Sequence, residues 1–339
     1  MKPPTEPSTK SGPEPSTKSG PKRPEIPTRL LVHALVREDG TVDAGELYAV
    51  AGLLGMTDQQ VRLCVKRLVA EGRFTQEGRG RKAVLRAVAD ATGAVAPDAD
   101  HVRYAYRQDH GLAPWDGTWH LFAFAVPEAR RAARDSLRET LLHLGAAPVQ
   151  GGLYVSANPV AELVEAQARH LGVLDAVTFL TSTDLRIGDT DEPRRLAAAM
   201  WPLDEIAERH ERLAAFAAAC ADRITERLPE VERLTLAVEL AAEFARAMDP
   251  DPLLPPELLP RPWPGVRARR LAQECWAALR ALPAQGGAPS SRAPSPQPRL
   301  FRLYEDAITG EAITDSTVTD STVTDSAITD SAITSPGGH

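Results

Sequence analysis

Between Thr28 and Asp90, apolar positions recur every three or four residues in three runs and then alternate in two short ones. The first run starts at Thr28, which can cap a helix reaching Arg37, and Asp39-Gly40 makes a turn. Asp43, with Glu46 three residues on, writes the D-x-x-E capping box of a second helix ending at Gly55. Thr57 and Gln60 repeat that signature for a third, on which Val61, Cys64, Val65 and Leu68 share one face until Gly72 stops it. Arg73 to Glu77 and Arg81 to Ala89 then read as strands around the Gly78-Arg79-Gly80 turn. Three helices followed by a hairpin predict a winged helix-turn-helix over residues 28–90.

After a stretch read as a linker, 91–115, the pattern changes. Trp119 to Val126 is strand-like, and Pro127 and Glu128 open a helix striped by Ala133, Leu137, Leu141 and Leu144 and closed by Gly145. Strands follow at Ala147 to Gln150 and Leu153 to Ser156. Asn158-Pro159 reads as a cap and first-turn proline for a helix to Leu171, and Ala176 to Thr181 is a last strand. The order βαββαβ over 116–186 predicts a ferredoxin-like domain. Residues 193–282 read as a helical C-terminal domain. Ile206, Leu213, Phe216, Cys220 and Ile224 lie on one face, and Leu234 to Met248 forms a second helix. Seven prolines between Asp249 and Pro264 force a wrapped loop before a helix from Val266 to Leu282. The fold class is therefore α+β and multidomain.

Both ends are low in complexity. EPSTKSGP at 6–13 recurs at 14–21, and five-residue units (EAITD, STVTD, STVTD, SAITD, SAITS) fill 311–335. Lacking large apolar surface, 1–27 and 283–339 read as disordered tails, the second of them acidic. Residues 305–339 hold seven carboxylates (Glu305, Asp306, Glu311, Asp315, Asp320, Asp325, Asp330) and no Lys or Arg. They account for the whole net charge of −7, so the remainder of the chain is neutral. An acidic tail of this kind is a solvated segment or, alternatively, a lure for basic surfaces. Three scattered cysteines, Cys64, Cys220 and Cys275, fit neither a disulfide framework nor zinc ligation and indicate a reducing cytoplasm. No apolar run is long enough for a membrane span, and eight prolines in the first 27 residues exclude a signal-peptide core.

Within this neutral body one region is strongly charged. Residues 59–86 carry Arg62, Lys66, Arg67, Arg73, Arg79, Arg81, Lys82 and Arg86 against Glu71 and Glu77. Gln59, Arg62, Lys66 and Arg67 lie off the apolar stripe of the third helix, where Arg and Gln can read base edges and Lys and the wing arginines can meet phosphates. The bland alternative is a hydrated basic helix face. Catalytic signatures are missing: no histidine pair has ligand spacing, and no phosphate loop or nucleophile elbow occurs. Glu128 and Asp135 alternate with Arg130, Arg131, Arg134 and Arg138, which suits intrahelical ion pairs better than a metal site. His143 and His210 read as structural or solvent-facing, and Trp201, Trp263 and Trp276 as core rather than pocket. No cofactor, metal or catalytic residue is assigned, and the chain reads as a non-enzyme. The rival reading is a metal-dependent nuclease using the middle domain, and a third is a protein-interaction adaptor.

Three blocks carry a resemblance: GMTDQQVRLCVKRLVAEGRFTQEGRGRKAVLRA, WDGTWHLFAFAVPEARRAARDSLRETLLHLGAAPVQGGLYVS and DPDPLLPPELLPRPWPGVRARRL. Together, over about residues 28–282, the chain resembles the PaaX-like family of repressors of phenylacetate degradation. The resemblance implies a cytoplasmic, dimeric transcription regulator bound to a two-fold-related double-stranded DNA operator and released by an aromatic acyl-CoA, typically phenylacetyl-CoA. It carries the DNA-reading role onto Gln59, Gln60, Arg62, Lys66, Arg67, Arg73, Arg79, Arg81 and Lys82. The phosphates of a CoA thioester would want arginines, and Arg130, Arg131 and Arg134, or Arg194 and Arg195, could supply them. Two departures stand out: Ala83-Val84 where the family often has a tyrosine pair, and Ala125 where it often has an Asp before Val-Pro. The second removes the carboxylate a nuclease-like metal site would need, so the resemblance implies that 116–186 is a spacer and dimer element and 193–282 an effector and dimer unit.

Overall fold

Capping chemistry decides where the second and third helices start in the computed structural model, which describes residues 25–88, 99–282 and 297–302. Helix α1 is Thr28–Ala34. Pro27 occupies the cap position, so Thr28 is the first helical residue, and the helix stops short of Arg37. A three-residue strand β1, Thr41–Asp43, follows; it is too short to leave an alternation signal. Helix α2 is Ala44–Leu53, with Asp43 accepting from the Glu46 N–H. The reciprocal half of that box is absent because the Glu46 carboxylate turns to Arg37, 3.1 Å away. Helix α3, Asp58–Ala70, has the full box: Thr57 N–H donates to Gln60 Oε1 at 2.7 Å and Gln60 N–H to Thr57 Oγ1 at 3.2 Å. Strands β2, Phe74–Glu77, and β3, Val84–Ala87, flank a 3₁₀ turn at Gly80–Lys82, and the antiparallel sheet runs β1-β3-β2.

The supposed linker is corrected next. Residues 99–109 form helix α4, Ala99–Asp109, with Val102, Ala105 and Tyr106 buried. Their i, i+3, i+4 spacing is that of a helix with one apolar face. Gln108 is buried too, donating to the Leu253 carbonyl at 2.7 Å.

A second antiparallel sheet contains β4 (Trp119–Phe124), β5 (Ala147–Gln150), β6 (Leu153–Ser156) and β7 (Val177–Ser182) in the order β5-β6-β4-β7. Helix α5 (Arg131–His143), entered through a 3₁₀ turn at Glu128–Arg130, and α6 (Ala161–His170) connect the strands. Strand alternation sorts the side chains. Phe122 and Tyr154 pack with Leu137, Leu141 and Val164 of α5 and α6, whereas Trp119, Leu121 and Val155 face Leu196 and the proline-rich loop. Asn158 is not the cap of α6; Val160 occupies that position. Asn158 is buried instead, donating to the Pro252 and Leu253 carbonyls at 3.1 and 3.0 Å and accepting from the Tyr104 hydroxyl at 3.1 Å.

The remaining helices are α7 (Pro193–Met200), α8 (Leu203–Ala221), α9 (Glu230–Met248) and α10 (Pro264–Ala281). Ile224 lies beyond α8, half-buried on the following turn. Residues 249–263 wrap the junction of the units, with Asp251, Leu253 and Leu254 buried. Gly145 is at φ +81° against this loop, where a Cβ would stand 2.6 Å from the Pro252 carbonyl oxygen. A buried polar network ties the junction together. Arg269 bonds Asp109 through Nε and Nη2 at 2.7 and 2.6 Å, and His210 Nε2 meets Asp251 at 2.6 Å.

One continuous apolar core joins the N-terminal unit to the C-terminal helices: Leu31, Leu47 and Val61 belong to the same cluster as Val102 of α4 and Leu236, Leu240 and Phe244 of α9. Leu300 and Phe301 complete it. The disordered-tail expectation from 283 onward therefore fails at 297–302. Pro298 bridges Arg37, Glu38 N–H donates to the Gln297 carbonyl at 3.0 Å, and Arg299 N–H to the Val36 carbonyl at 2.8 Å. Arg233 lies over the Phe301 ring at 4.6 Å and donates to Gln297. At the other end Ile26 is buried, so the N-terminal tail ends earlier than 27. Both sets of repeats lie outside the described residues, as do 89–98, which include the end of the first expected domain.

Candidate nucleic-acid interface

Helix α3 presents its apolar side, Val61 and Leu68, to the core, which leaves Gln59, Gln60, Arg62, Lys66 and Arg67 exposed on the other side. The turn at 78–82 carries Arg79, Arg81 and Lys82, all exposed, and Arg73 is exposed between α3 and β2. Helix and turn converge on an open groove of about 290 Å³ lined by Tyr48, Arg62, Val65, Lys66, Gln76 and Arg79, among others. The turn is held there by α2: Ala44 N–H donates to the Ala83 carbonyl at 3.1 Å, and Gly45 sits so close that a Cβ would be 3.0 Å from the Arg81 carbonyl oxygen.

Ion pairing separates the cations into two kinds. Arg81 pairs with Asp58 at 3.1 Å and lies 5.5 Å over the Tyr48 ring, which fixes the turn against α2 and α3. Arg86 pairs with Glu77, and Glu71 is taken by Arg29 at 2.8 Å. Arg62, Lys66, Arg67, Arg73, Arg79 and Lys82 have no carboxylate within ion-pair distance among the described residues. Among the described residues, six cations without a carboxylate partner concentrate positive charge on one unit. Gln60 is in part committed to its cap, whereas Gln59 and Arg62 stand on the outer face. Tyr48 was not legible as a site residue; its position on α2 gives no sign that an arginine 33 residues later covers it.

Other candidates separate. Glu128 and Asp135 are exposed and paired with Arg131 and Arg134, with Glu128 to Arg134 at 2.8 Å. Arg130 donates to the Gly172 carbonyl. Arg194 donates to the Glu257 carbonyl at 2.8 Å, and the neighbouring Arg195 is exposed. Because α5 packs on one face of the second sheet and α7 on the other, Arg130, Arg131 and Arg134 do not converge with Arg194 and Arg195. Trp201 stacks on Trp119 and donates to the Gly145 carbonyl at 3.0 Å, and Trp276 packs edge-on against Phe244. His210 is fully buried on Asp251. A cleft of about 200 Å³ opens beside this network between His143, Met200, Trp201, Ile206 and Pro250. Among the described residues no group of three or more His, Cys, Asp or Glu could hold a metal ion, and no helix is long and apolar enough to cross a membrane.

Comparison with known proteins adds two family matches. Residues 112–197 match the PaaX protein central Cas2-like domain, and residues 201–285 match the PaaX-like protein C-terminal domain. Neither match includes α3 or the basic turn. No curated protein matches the sequence. Among solved structures the chain is similar to the uncharacterized protein Rv0674 from Mycobacterium tuberculosis, with 21% identity, 74% of this chain and 96% of that chain covered, and a TM-score of 0.44.

Proposed function

The chain belongs to the PaaX-like family, a family of transcription regulators, and from that premise we propose that it represses transcription by binding duplex DNA through α3 and the 78–82 turn. The carrying observation is the group of six cations without a carboxylate partner among the described residues, three of which, Arg62, Lys66 and Arg79, line the 290 Å³ groove. In this reading α1 to β3 is a winged helix-turn-helix, with α3 in the major groove and the β2–β3 hairpin as the wing. The sheet β5-β6-β4-β7 with α5 and α6 is a ferredoxin-like spacer. The protein acts as a cytoplasmic homodimer, and its two α3 helices meet half-sites one helical turn or a multiple apart. An aromatic acyl-CoA such as phenylacetyl-CoA releases it, the aryl group entering the cleft beside Trp201 and Met200. The protein is a regulator without enzymatic activity.

Gel retardation with the region upstream of its own operon tests this, with log affinity falling linearly in log salt. Arg62→Ala should relax preference at one base position, and Lys66→Ala should weaken all sequences alike, lowering the salt slope by about one. Absence of retardation at low salt refutes the DNA reading. Metal-dependent cleavage of the duplex would restore the nuclease. Calorimetry without heat on adding phenylacetyl-CoA, together with unchanged retardation, removes the effector.

A further inference from the structure

The C-terminal segment 297–302 does more than fill a gap in the core. It runs along Val36 to Glu38 of the N-terminal unit, held by backbone hydrogen bonds at Gln297 and Arg299 and anchored by Leu300 and Phe301. Both family matches stop before it, the second at residue 285. The chain that continues from Arg302 therefore departs from the junction where this segment lies between the N-terminal unit and helices α9 and α10. That continuation, 303–339, has seven carboxylates and no Lys or Arg, whereas the N-terminal unit has six cations without carboxylate partners among the described residues.

We infer that residues 303–339 dock on the basic face of α3 and the 78–82 turn of their own chain and compete there with nucleic acid. The inference rests on the DNA-binding reading above and adds an intramolecular regulator to it. Reach is ample: 37 residues span up to about 120 Å at roughly 3.3 Å each, against a unit roughly 30 Å across. A tethered segment faces its neighbour at an effective concentration on the order of millimolar. Contacts with a dissociation constant of only about 0.1 mM would then occupy the face most of the time and weaken DNA binding by roughly tenfold. Being charge on charge at an exposed surface, the contact fades as the Debye length shortens with salt.

The experiment compares the full chain with a chain ending at Arg302, which keeps the docked segment, and with a full chain carrying Asp315→Asn, Asp320→Asn, Asp325→Asn and Asp330→Asn. On a random-sequence duplex at roughly 50 mM salt, the truncated chain is expected to bind about tenfold tighter than the full chain, with the Asn variant between them. The gap should close near roughly 300 mM. Zero-length carbodiimide coupling followed by peptide mapping should join Lys66 or Lys82 to tail carboxylates in the full chain, and salt should suppress that coupling. Equal affinities across the salt range, or no coupling to either lysine, overturns the inference. Should neither form bind DNA while the coupling persists, the DNA-binding reading falls and the docked tail stands.

Discussion

The Asp109–Arg269 pair joins α4 to α10 across 160 residues of sequence, and its removal should show how strongly α4 is fixed to the C-terminal helices. Both side chains are buried, with 8% and 5% of their surface exposed. Burial works against the charge of the guanidinium, yet two short bonds to Asp109, with the charges of Asp109 and Asp251, more than offset it, so its pKa rises from the ordinary value. In Asp109→Leu the guanidinium keeps one carboxylate, Asp251, at 3.8 Å, too far for a hydrogen bond, and a Met248 sulfur at 3.9 Å. Stranding a buried charge in this way costs about 3–5 kcal/mol. Arg269→Met, which strands Asp109, should cost a similar amount. For a protein of this size the loss lowers the melting temperature by roughly 10 °C. The double variant removes both charges and should be more stable than either single one, giving a coupling of a few kcal/mol. Urea unfolding of the four proteins measures the cycle. Single variants that each cost less than about 1 kcal/mol and add without coupling would refute the reasoning.

Acid should expose the neighbouring carboxylate. Burial acts to raise the pKa of Asp251, but the hydrogen bond and charge of His210, the charge of Arg269 and the Leu253 N–H outweigh it, and the net shift is downward. A lowered folded pKa stabilises above the unfolded value, near 4, and that stabilisation disappears as pH falls below it. Asp251→Asn should therefore be the less stable protein at pH 6, with the gap narrowing below about pH 4; a pH-independent gap in urea midpoints contradicts this. Gly145→Ala should cost about 2 kcal/mol or more, because a Cβ there would be strained at φ +81° and driven into the Pro252 carbonyl 2.6 Å away; a neutral thermal melt would show that the loop moves aside. Asn158→Ala takes the side-chain donor from the Pro252 carbonyl and the acceptor from the Tyr104 hydroxyl, while the Leu253 carbonyl keeps Gln108, and should lose about 1–3 kcal/mol in urea unfolding.

What could be read from the sequence was local. The Thr57/Gln60 box and the Val61, Leu68 face located α3 to within a residue, because cap and periodicity are both encoded in neighbouring positions. Strand β1 was invisible, since three residues held by β3 carry no pattern of their own. Asn158 was misread as a cap because Asn-Pro before a helix satisfies the local rule, while its real partners, Pro252 and Leu253, are more than 90 residues away. Helix α4 went unread beneath its polar residues, two of which, Gln108 and Asp109, have their partners in the distant loop and α10. The cations of α3 and the turn were identifiable as a charge excess. Which of them are already neutralised, such as Arg81 by Asp58, depended on folding the chain.

The apolar cluster that contains both Leu31 and Phe301 sets an order of events during synthesis. A ribosome releases the first helices long before α9 emerges, so the earliest part of the polypeptide must wait, incompletely covered, for nearly all the rest. Contacts between such remote segments slow folding by requiring large loops to close. The amino-terminal part gains its mature surface only after α9 and residues 300–301 have been made.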